Sequence, residues 1–320
     1  MDFSETRIIQ STVPPEKEGI RLDLFLSARF TYRSRSAWQE CIRNGEIKLN
    51  GSKTKASRIL RSGDVISLEI QNAEEPPVDR NYTILLENKD FIAVNKNGSI
   101  PVHPSGCYYY NTLLNVLQEQ YGQLFIVNRL DRETSGVTLF AKHSKAASLL
   151  AQLFTGHNLK KTYYAIVHGL VPDTLIAQGY LCSDTNSVVR KKRKFVQELP
   201  VHCDDAETCC TFFKKVAADQ QFSVVECLPE TGRLHQIRAT LCSLGYPLVG
   251  DKLYGINDQF YLRHIEGTLT EADRKQLILT RQALHAGALA FTSPFTGKEI
   301  ICHAPLPPEL QQLQYAISGI

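Results

Sequence analysis

The sequence predicts an α+β protein: a mixed, mainly antiparallel sheet with flanking helices, preceded by a small N-terminal α/β module. Three observations lead there. Short runs with strand-like alternation interleave with helical stretches in no regular βαβ order, which argues against a doubly wound parallel sheet. A polar, acidic stretch at 71–80 (QNAEEPPVDR) carries Pro76-Pro77 and reads as a linker. Cationic residues are concentrated before that linker. The chain has 320 residues, more than one compact core usually takes. It therefore divides into an extension over 1–18, a basic module over 19–70, the linker over 71–80, and a larger domain over 81–320.

Residues 20–44 read as two short helices. In the second, Ser34 suits the N-cap, Trp38, Cys41 and Ile42 fall on one apolar face, and Gly45 suits the position just past the end. Residues 46–51 (EIKLNG) alternate as a strand with Asn50-Gly51 as a turn signal, and 61–70 (RSGDVISLEI) supply another turn and strand. In the larger domain, 82–86, 91–95, 124–127, 137–141, 161–167, 208–216 and 222–228 are strand-like. Helical spacing marks 111–121, followed by Gly122, and 144–154, where Ala146, Leu149, Leu150, Leu153 and Phe154 form a stripe. A third stripe, Leu234, Ile237, Leu241 and Leu244, is closed by Gly245.

A net charge of +3 does not announce a nucleic-acid partner, but the charge distribution is more informative. Residues 19–70 hold ten Lys/Arg against five Asp/Glu, a local excess of +5 that marks a basic binding module. On charge alone, a solvated basic surface without a ligand remains the other reading. The run 190–194 (RKKRK) also has two readings, a solvated loop or a clamp on phosphates.

Several classes are excluded. No stretch approaches the ~20 apolar residues of a membrane span, and MDFSETRIIQ carries Asp2 and Glu5 without an apolar core, unlike a signal peptide. A cytoplasmic address is the expectation, and a monomer the default. The nine cysteines lack CxxC pairs and zinc-site spacing, so reduced thiols are expected. There is no GxxxxGK[ST] loop, no GxGxxG after a strand and no HExxH. The expectation is a redox-neutral reaction that uses side chains alone, with no cofactor and no metal.

Three segments are candidates for chemistry. The polar loop 128–136 (NRLDRETSG) lies between two apolar strands, which would hold Asp131 rigidly; a turn or cap role is the competing reading. In 160–169 (KKTYYAIVHG), alternation places Tyr163, Ala165 and Val167 on one face, so Tyr163 is either a pocket residue or a core tyrosine. In 232–255 (GRLHQIRATLCSLGYPLVGDKLYG), Arg238 lies beside the apolar stripe, where a solvated helix arginine is the alternative.

In order, these segments resemble the HRLDxxTSG, KxYxAxVxG and GRxHQIR…GxPLxGDxxYG signatures of the RluA group of RNA pseudouridine synthases. The stretch 281–308 is similar to that group's closing segment. Arg21-Leu22-Asp23, Gly45, Asn50-Gly51 and Ser62-Gly63-Asp64 resemble the S4 RNA-binding domain. The resemblance implies that Asp131 is the catalytic aspartate, that Arg238 pairs with it, and that Tyr163 stacks on the uracil and could accept or relay its C5 proton. It also implies that Arg129 fills the space left by a flipped nucleotide.

It implies an RNA partner, ribosomal RNA of the large subunit before transfer RNA. Arg21, Arg33, Arg35, Arg43, Lys48, Lys53, Lys55 and Arg58 would contact it through the module, and Arg190, Lys191, Lys192 and Arg193 near the cleft. Whether Asp131 attacks the sugar, attacks the base or removes a sugar proton stays open. The chain departs from the signatures at Asn128, where His is usual, at Asn97 for Pro, and at Ala239-Thr240 for Val-His. One rival is an RNA-binding or ribosome-assembly protein on the same fold with reduced activity. Another is a glycoside or nucleoside hydrolase using Asp131 and Glu133.

Overall fold

Alternation and turn chemistry in the first seventy residues produce a small antiparallel sheet with two helices. In the computed structural model, which describes residues 7–30, 35–70, 75–156, 159–187, 189, 191–199, 203–257 and 259–319, these elements are β1 (Arg7–Thr12), α1 (Leu22–Arg29), α2 (Arg35–Asn44), β2 (Ile47–Leu49), β3 (Ser52–Lys53) and β4 (Val65–Ile70). The strand order is β1-β4-β2-β3. Trp38, Cys41 and Ile42 of α2 are buried against Leu22, Phe25 and Leu26 of α1 and against Ile47, Leu49 and Ile66 of the sheet. Asn50 and Gly51 both have positive φ (50° and 79°), as a two-residue hairpin between β2 and β3 demands. Arg7–Thr12, inside the stretch 1–18 read as an extension, pairs along its whole length with β4. Period-two patterning in RIIQST is weak, because an edge strand has only one neighbour to specify it. Arg33, Ser34 and Arg190 lie outside the described residues.

The chain divides into two units, Met1–Glu75 and Pro76–Ile320. The second contains β5 (Tyr82–Glu87), β6 (Phe91–Lys96), α3 (Leu113–Tyr121), β7 (Phe125–Ile126), β8 (Ser135–Ala141), α4 (Ser144–Thr155), β9 (Leu159–His168), β10 (Thr174–Ser183), β11 (Arg193–Val196), β12 (Glu207–Ala218), β13 (Phe222–Pro229), α5 (Gln236–Ser243), α6 (Gln259–Glu266), α7 (Glu271–Leu277), β14 (Leu284–Thr292), β15 (Glu299–His303) and α8 (Pro308–Ser318). Its strands run β11-β10-β12-β13-β9-β14-β8-β6-β5, with β15 hydrogen-bonded to β14 and β7 to β8. The pairings are antiparallel except β8 with β14, which is parallel. The fold is thus mixed α+β and mainly antiparallel.

Helices cover both faces of the large sheet, and this divides its core. On one side of the central strands, Ala165 and Val167 of β9 pack with Ile237, Ala239 and Leu241 of α5. On the other side, Ile166 and Val224 pack with Leu310 and Ile317 of α8. At the far end, Leu113, Val116 and Leu117 of α3 meet Ile92 and Val94, while Ala146 and Leu150 of α4 meet Phe91 and Leu139. Among the described residues no helix is long and apolar enough to cross a membrane.

The loop bearing Asp131 leaves β7 and enters β8 at the parallel junction. There His285 and Ala286 of β14 face Ser135 and Gly136 of β8. Gly136 has φ 116°, and a Cβ on it would lie 2.1 Å from the Ala286 carbonyl oxygen. Only glycine permits that approach. The apolar stripe over 234–245 forms a shorter helix than its spacing predicts. Leu234 precedes α5 and is half exposed, while Leu244 caps its end.

Candidate active site

The turn carrying Asp131 closes with the Thr134 N–H donating to the Asp131 carbonyl at 3.1 Å. Asp131 itself keeps 28% side-chain exposure. Its Oδ2 accepts from Nη1 of Arg238 at 2.6 Å, while Nε2 of His235 stands 3.9 Å from Oδ1. Arg238, on α5, is also held by the fully buried Asp251, Nε to Oδ2 at 2.7 Å and Nη2 to Oδ1 at 2.9 Å. Asp251 is fixed in turn by the backbone N–H groups of Leu253 and Tyr254, each at 2.9 Å. A guanidinium bridging two carboxylates uses the planar fork that lysine lacks.

Charge follows from this geometry. Burial pushes the Asp131 carboxyl up, but the Arg238 guanidinium outweighs it and holds the group below its ordinary value. Asp251 is lowered for the same reasons. His235 is pushed down to about 4, first by burial and then by Arg238, so it is neutral at neutral pH. Its Nδ1 lies 2.9 Å from the Tyr254 hydroxyl, which already accepts from the Arg193 N–H at 2.8 Å. The Tyr254 hydroxyl thus holds the ring through Nδ1, and Nε2 is the ring nitrogen that faces Asp131. His235 also has φ 57°, in the left-handed region, which His enters more readily than most side chains.

Tyr163 lies on β9 between Cys227 of β13 and Ala286 of β14. It packs with Ala165 and Val167 on one face. Burial and then the charge of Asp131 push its phenol well above its usual value. It stays protonated, which suits a flat stacking surface and disfavours a phenolate base. Arg129 is exposed, with Nη1 3.2 Å from Nε2 of His103.

The sequence reading attached no role to the groups that hold this loop. Lys96, fully buried at the end of β6, donates to three carbonyls, those of Asn97 (2.7 Å), Arg132 (2.8 Å) and Ile100 (2.9 Å). Arg281 donates to the Glu133 carbonyl at 3.0 Å and the Ser135 hydroxyl at 3.2 Å, and Gln282 to Thr134 at 2.6 Å. Asn128 turns toward the backbone of β8, accepting from the Leu139 N–H at 2.7 Å and donating to the Val137 carbonyl at 3.3 Å. Glu133 binds Nζ of Lys252 through both oxygens, at 2.9 and 3.0 Å. That ion pair ties Glu133 to the scaffold behind the loop.

In the basic unit, Arg21 and Arg35 both reach Asp23, at 3.0 and 2.8 Å, and hold its buried carboxyl low together with Gln39. Both arginines keep more than two-fifths of their side chains exposed. Arg43, Lys53, Lys55 and Arg58 are exposed and Lys48 half-buried, with Lys48 directly opposite Lys53 across the β2–β3 pair.

Arg193 departs from the solvated clamp that RKKRK implies. It begins β11 with an 11%-exposed side chain turned onto Asp205, Glu207 and the Leu181 carbonyl. Charge runs read as surface, and nothing local reports that a strand will turn one member inward. Lys191 lies 5.3 Å from the Tyr261 ring. Among the described residues, no cluster of three or more His, Cys, Asp or Glu is arranged to hold a metal ion.

Comparison with known proteins bears on this geometry. The family model for RNA pseudouridylate synthase matches residues 90–243, and the S4 domain model matches 20–66. A protein of Zymomonas mobilis named ribosomal large subunit pseudouridine synthase D is 30% identical over 95% of this chain and 96% of its own. The chain belongs to the RNA pseudouridine synthase family. It is an RNA-modifying isomerase with an S4 domain ahead of the synthase domain. A yeast relative, the mitochondrial tRNA pseudouridine(32) synthase, is 32% identical over 75% of this chain, which spans about half of the relative's length. Among solved structures, human RNA pseudouridylate synthase domain containing 1 superposes with TM-score 0.56 at 22% identity, covering 76% of this chain and 97% of that one. At that identity the likeness speaks for the fold.

Proposed function

We propose that this synthase isomerises uridines of large-subunit ribosomal RNA and that Asp131 is its reacting carboxylate. The observation that carries the reading is the 2.6 Å pair between Asp131 and Arg238, itself locked by Asp251. Two carboxylates around one guanidinium leave the trio one negative charge in excess. Breaking the C1′–N1 bond of uridine builds positive charge on the sugar, which such a site stabilises. Asp131 stays ionised near neutral pH because Arg238 offsets the effect of burial.

The glycosidic bond is out of reach inside stacked RNA, so the nucleotide is flipped into the site. The flat, protonated ring of Tyr163 stacks on the uracil while it turns to offer C5. Arg129, exposed at the mouth of the loop, enters the vacated position in the RNA. Ribosomal RNA is favoured by the Zymomonas relative, whose similarity runs the full length of both chains and so includes the S4 region. Backbone phosphates bind the exposed cations Arg43, Lys53, Lys55 and Arg58, and Arg21 and Arg35 as far as Asp23 leaves them available.

The test is chemical pseudouridine mapping of ribosomal and transfer RNA from cells with the wild-type gene, without it, and with Asp131→Asn. The reading requires large-subunit sites that vanish in both deficient strains. Sites confined to transfer RNA would overturn the substrate, and full modification by Asp131→Asn would overturn the carboxylate.

A further inference from the structure

Residues 103–112 (HPSGCYYYNT) run between β6 and α3, and they are tied to both flanks of Asp131. His103 meets Arg129 at 3.2 Å, and the Tyr108 hydroxyl accepts from Arg132 Nη1 at 2.6 Å. The Arg132 guanidinium also lies 5.5 Å from the Tyr108 ring centre. The backbone of this segment is pinned. Ser105 and Tyr108 exchange two N–H···O bonds of 2.9 and 3.1 Å. Asn115 Nδ2 donates to the Tyr109 carbonyl at 2.6 Å, and Asn111 donates to the Pro76 carbonyl at 3.1 Å.

On this rigid support two large rings face solvent. Tyr109 is 38% exposed and Tyr110 47% exposed. Their centroids lie 4.9 Å apart at 89°, so the edge of one ring braces the face of the other. A braced ring gives up little rotamer freedom when a flat ligand settles on it. Cations stand along the same segment, Arg129 beside His103 at its start and Arg132, itself paired with Glu133 at 2.8 Å, beside Tyr108. Aromatic faces among fixed cations are what unpaired RNA bases and their phosphates bind.

We propose that Tyr109 and Tyr110 form a stacking platform for an unpaired RNA base adjacent to the target nucleotide, with Tyr110 supplying the face and Tyr109 bracing it. The proposal deepens the reading of Asp131 as the reacting carboxylate and rests on it for its location. Extruding the target nucleotide separates it from a neighbour in the stack. The Tyr110 ring replaces part of that lost contact for the base on one side, as Arg129 fills the gap itself. Because every base has a π face, the contact favours unpaired loops over helices and imposes no sequence.

The probe is a single-stranded oligoribonucleotide of about twelve residues with a central uridine and 2-aminopurine, whose fluorescence falls on stacking, on each side of it. The full chain should bind it and quench it. Tyr110→Ala should lose the quenching and bind about tenfold more weakly, equivalent to ~1.4 kcal/mol, and Tyr110→Phe should restore both. If Tyr110→Ala does not fold, Tyr110→Leu, with apolar bulk but no flat face, carries the same expectation. Wild-type binding without quenching, equal quenching by the Ala or Leu protein, or failure of Phe to restore it would each overturn the platform. The Asp131→Asn protein should quench like wild type. Pseudouridine formation by that variant would therefore remove the catalytic reading while the quenching result still decided the platform.

Discussion

Arg238 donates Nη1 to Asp131 at 2.6 Å while Nε and Nη2 are both engaged by Asp251. The two aspartates belong to different segments, yet one rigid guanidinium sets the position of both. Asp131 is oriented by a group that cannot swing away without breaking a buried ion pair.

Replacing Arg238 with Lys should cost about a hundredfold in kcat, the scale for losing one oriented hydrogen-bond donor at a reacting centre. Its pH profile should also change. Arg238 is what holds the Asp131 carboxyl below its ordinary value against burial, so weakening that contact raises the group. With Asp131 as the reacting carboxylate proposed above, activity needs the ionised form, and the acid limb should therefore move upward. A single-turnover profile from acid to neutral pH checks this. An unshifted limb would disconnect Arg238 from the ionisation of Asp131.

Asp251→Asn should destabilise the synthase unit by about 3 kcal/mol or more, since it leaves a buried guanidinium short of a partner. The Asp251 carboxyl is depressed in the folded chain. Its contribution is present above the ordinary carboxylate value and lost as pH falls through the depressed one. Urea denaturation should show the full gap between variant and wild type at neutral pH, closing in strong acid. A gap independent of pH would mean that packing, not the ion pair, carries the effect.

Lys96→Met should loosen the loop from the inside. The three carbonyls that Nζ serves would be left in a water-poor site, each costing about 1–3 kcal/mol. Proteolysis between 127 and 134 should speed up and kcat should fall. RNA affinity, if the exposed cations carry it as proposed, should change little by filter binding. A variant with wild-type kcat would show that the loop is held well enough from β8 and β14.

Much of this site was legible as spacing. Period-two alternation in 161–167 gave the face shared by Tyr163, Ala165 and Val167, and period 3.6 gave the buried side of α2. The polar turn between two apolar strands left Asp131 open to a turn or cap role, and it was the resemblance to the HRLDxxTSG signature that singled it out. What spacing could not report is contact at long range. Asp131 and Arg238 are 107 residues apart, and Ser135 and His285 are 150 apart. Asp251 lay in a segment already singled out, but only the three-dimensional register of α5 places it against Arg238. Lys96 follows the run 91–95 read as a strand and carries no local sign of burial, and Arg193 is one cation among five. In both cases the inward turn is decided by partners elsewhere in the chain.

Asn128 stands where the related signature has His, and its bonds explain how the loop tolerates this. The amide accepts from Leu139 N–H and donates to the Val137 carbonyl, both on β8. A neutral imidazole has one donor and one acceptor as well. Asn128→Ala strands both backbone groups and should cost about 1–3 kcal/mol, or roughly 2–4 °C of melting temperature per kcal/mol for a unit of this size. Its kcat should fall with the loosened loop. Asn128→His should recover most of the stability and keep kcat within about threefold, because residue 128 points at β8 and makes no contact with Asp131 through its side-chain bonds. If Asn128→His melted like wild type yet lost orders of magnitude in single-turnover rate, residue 128 would belong to the chemistry rather than to the scaffold beneath it.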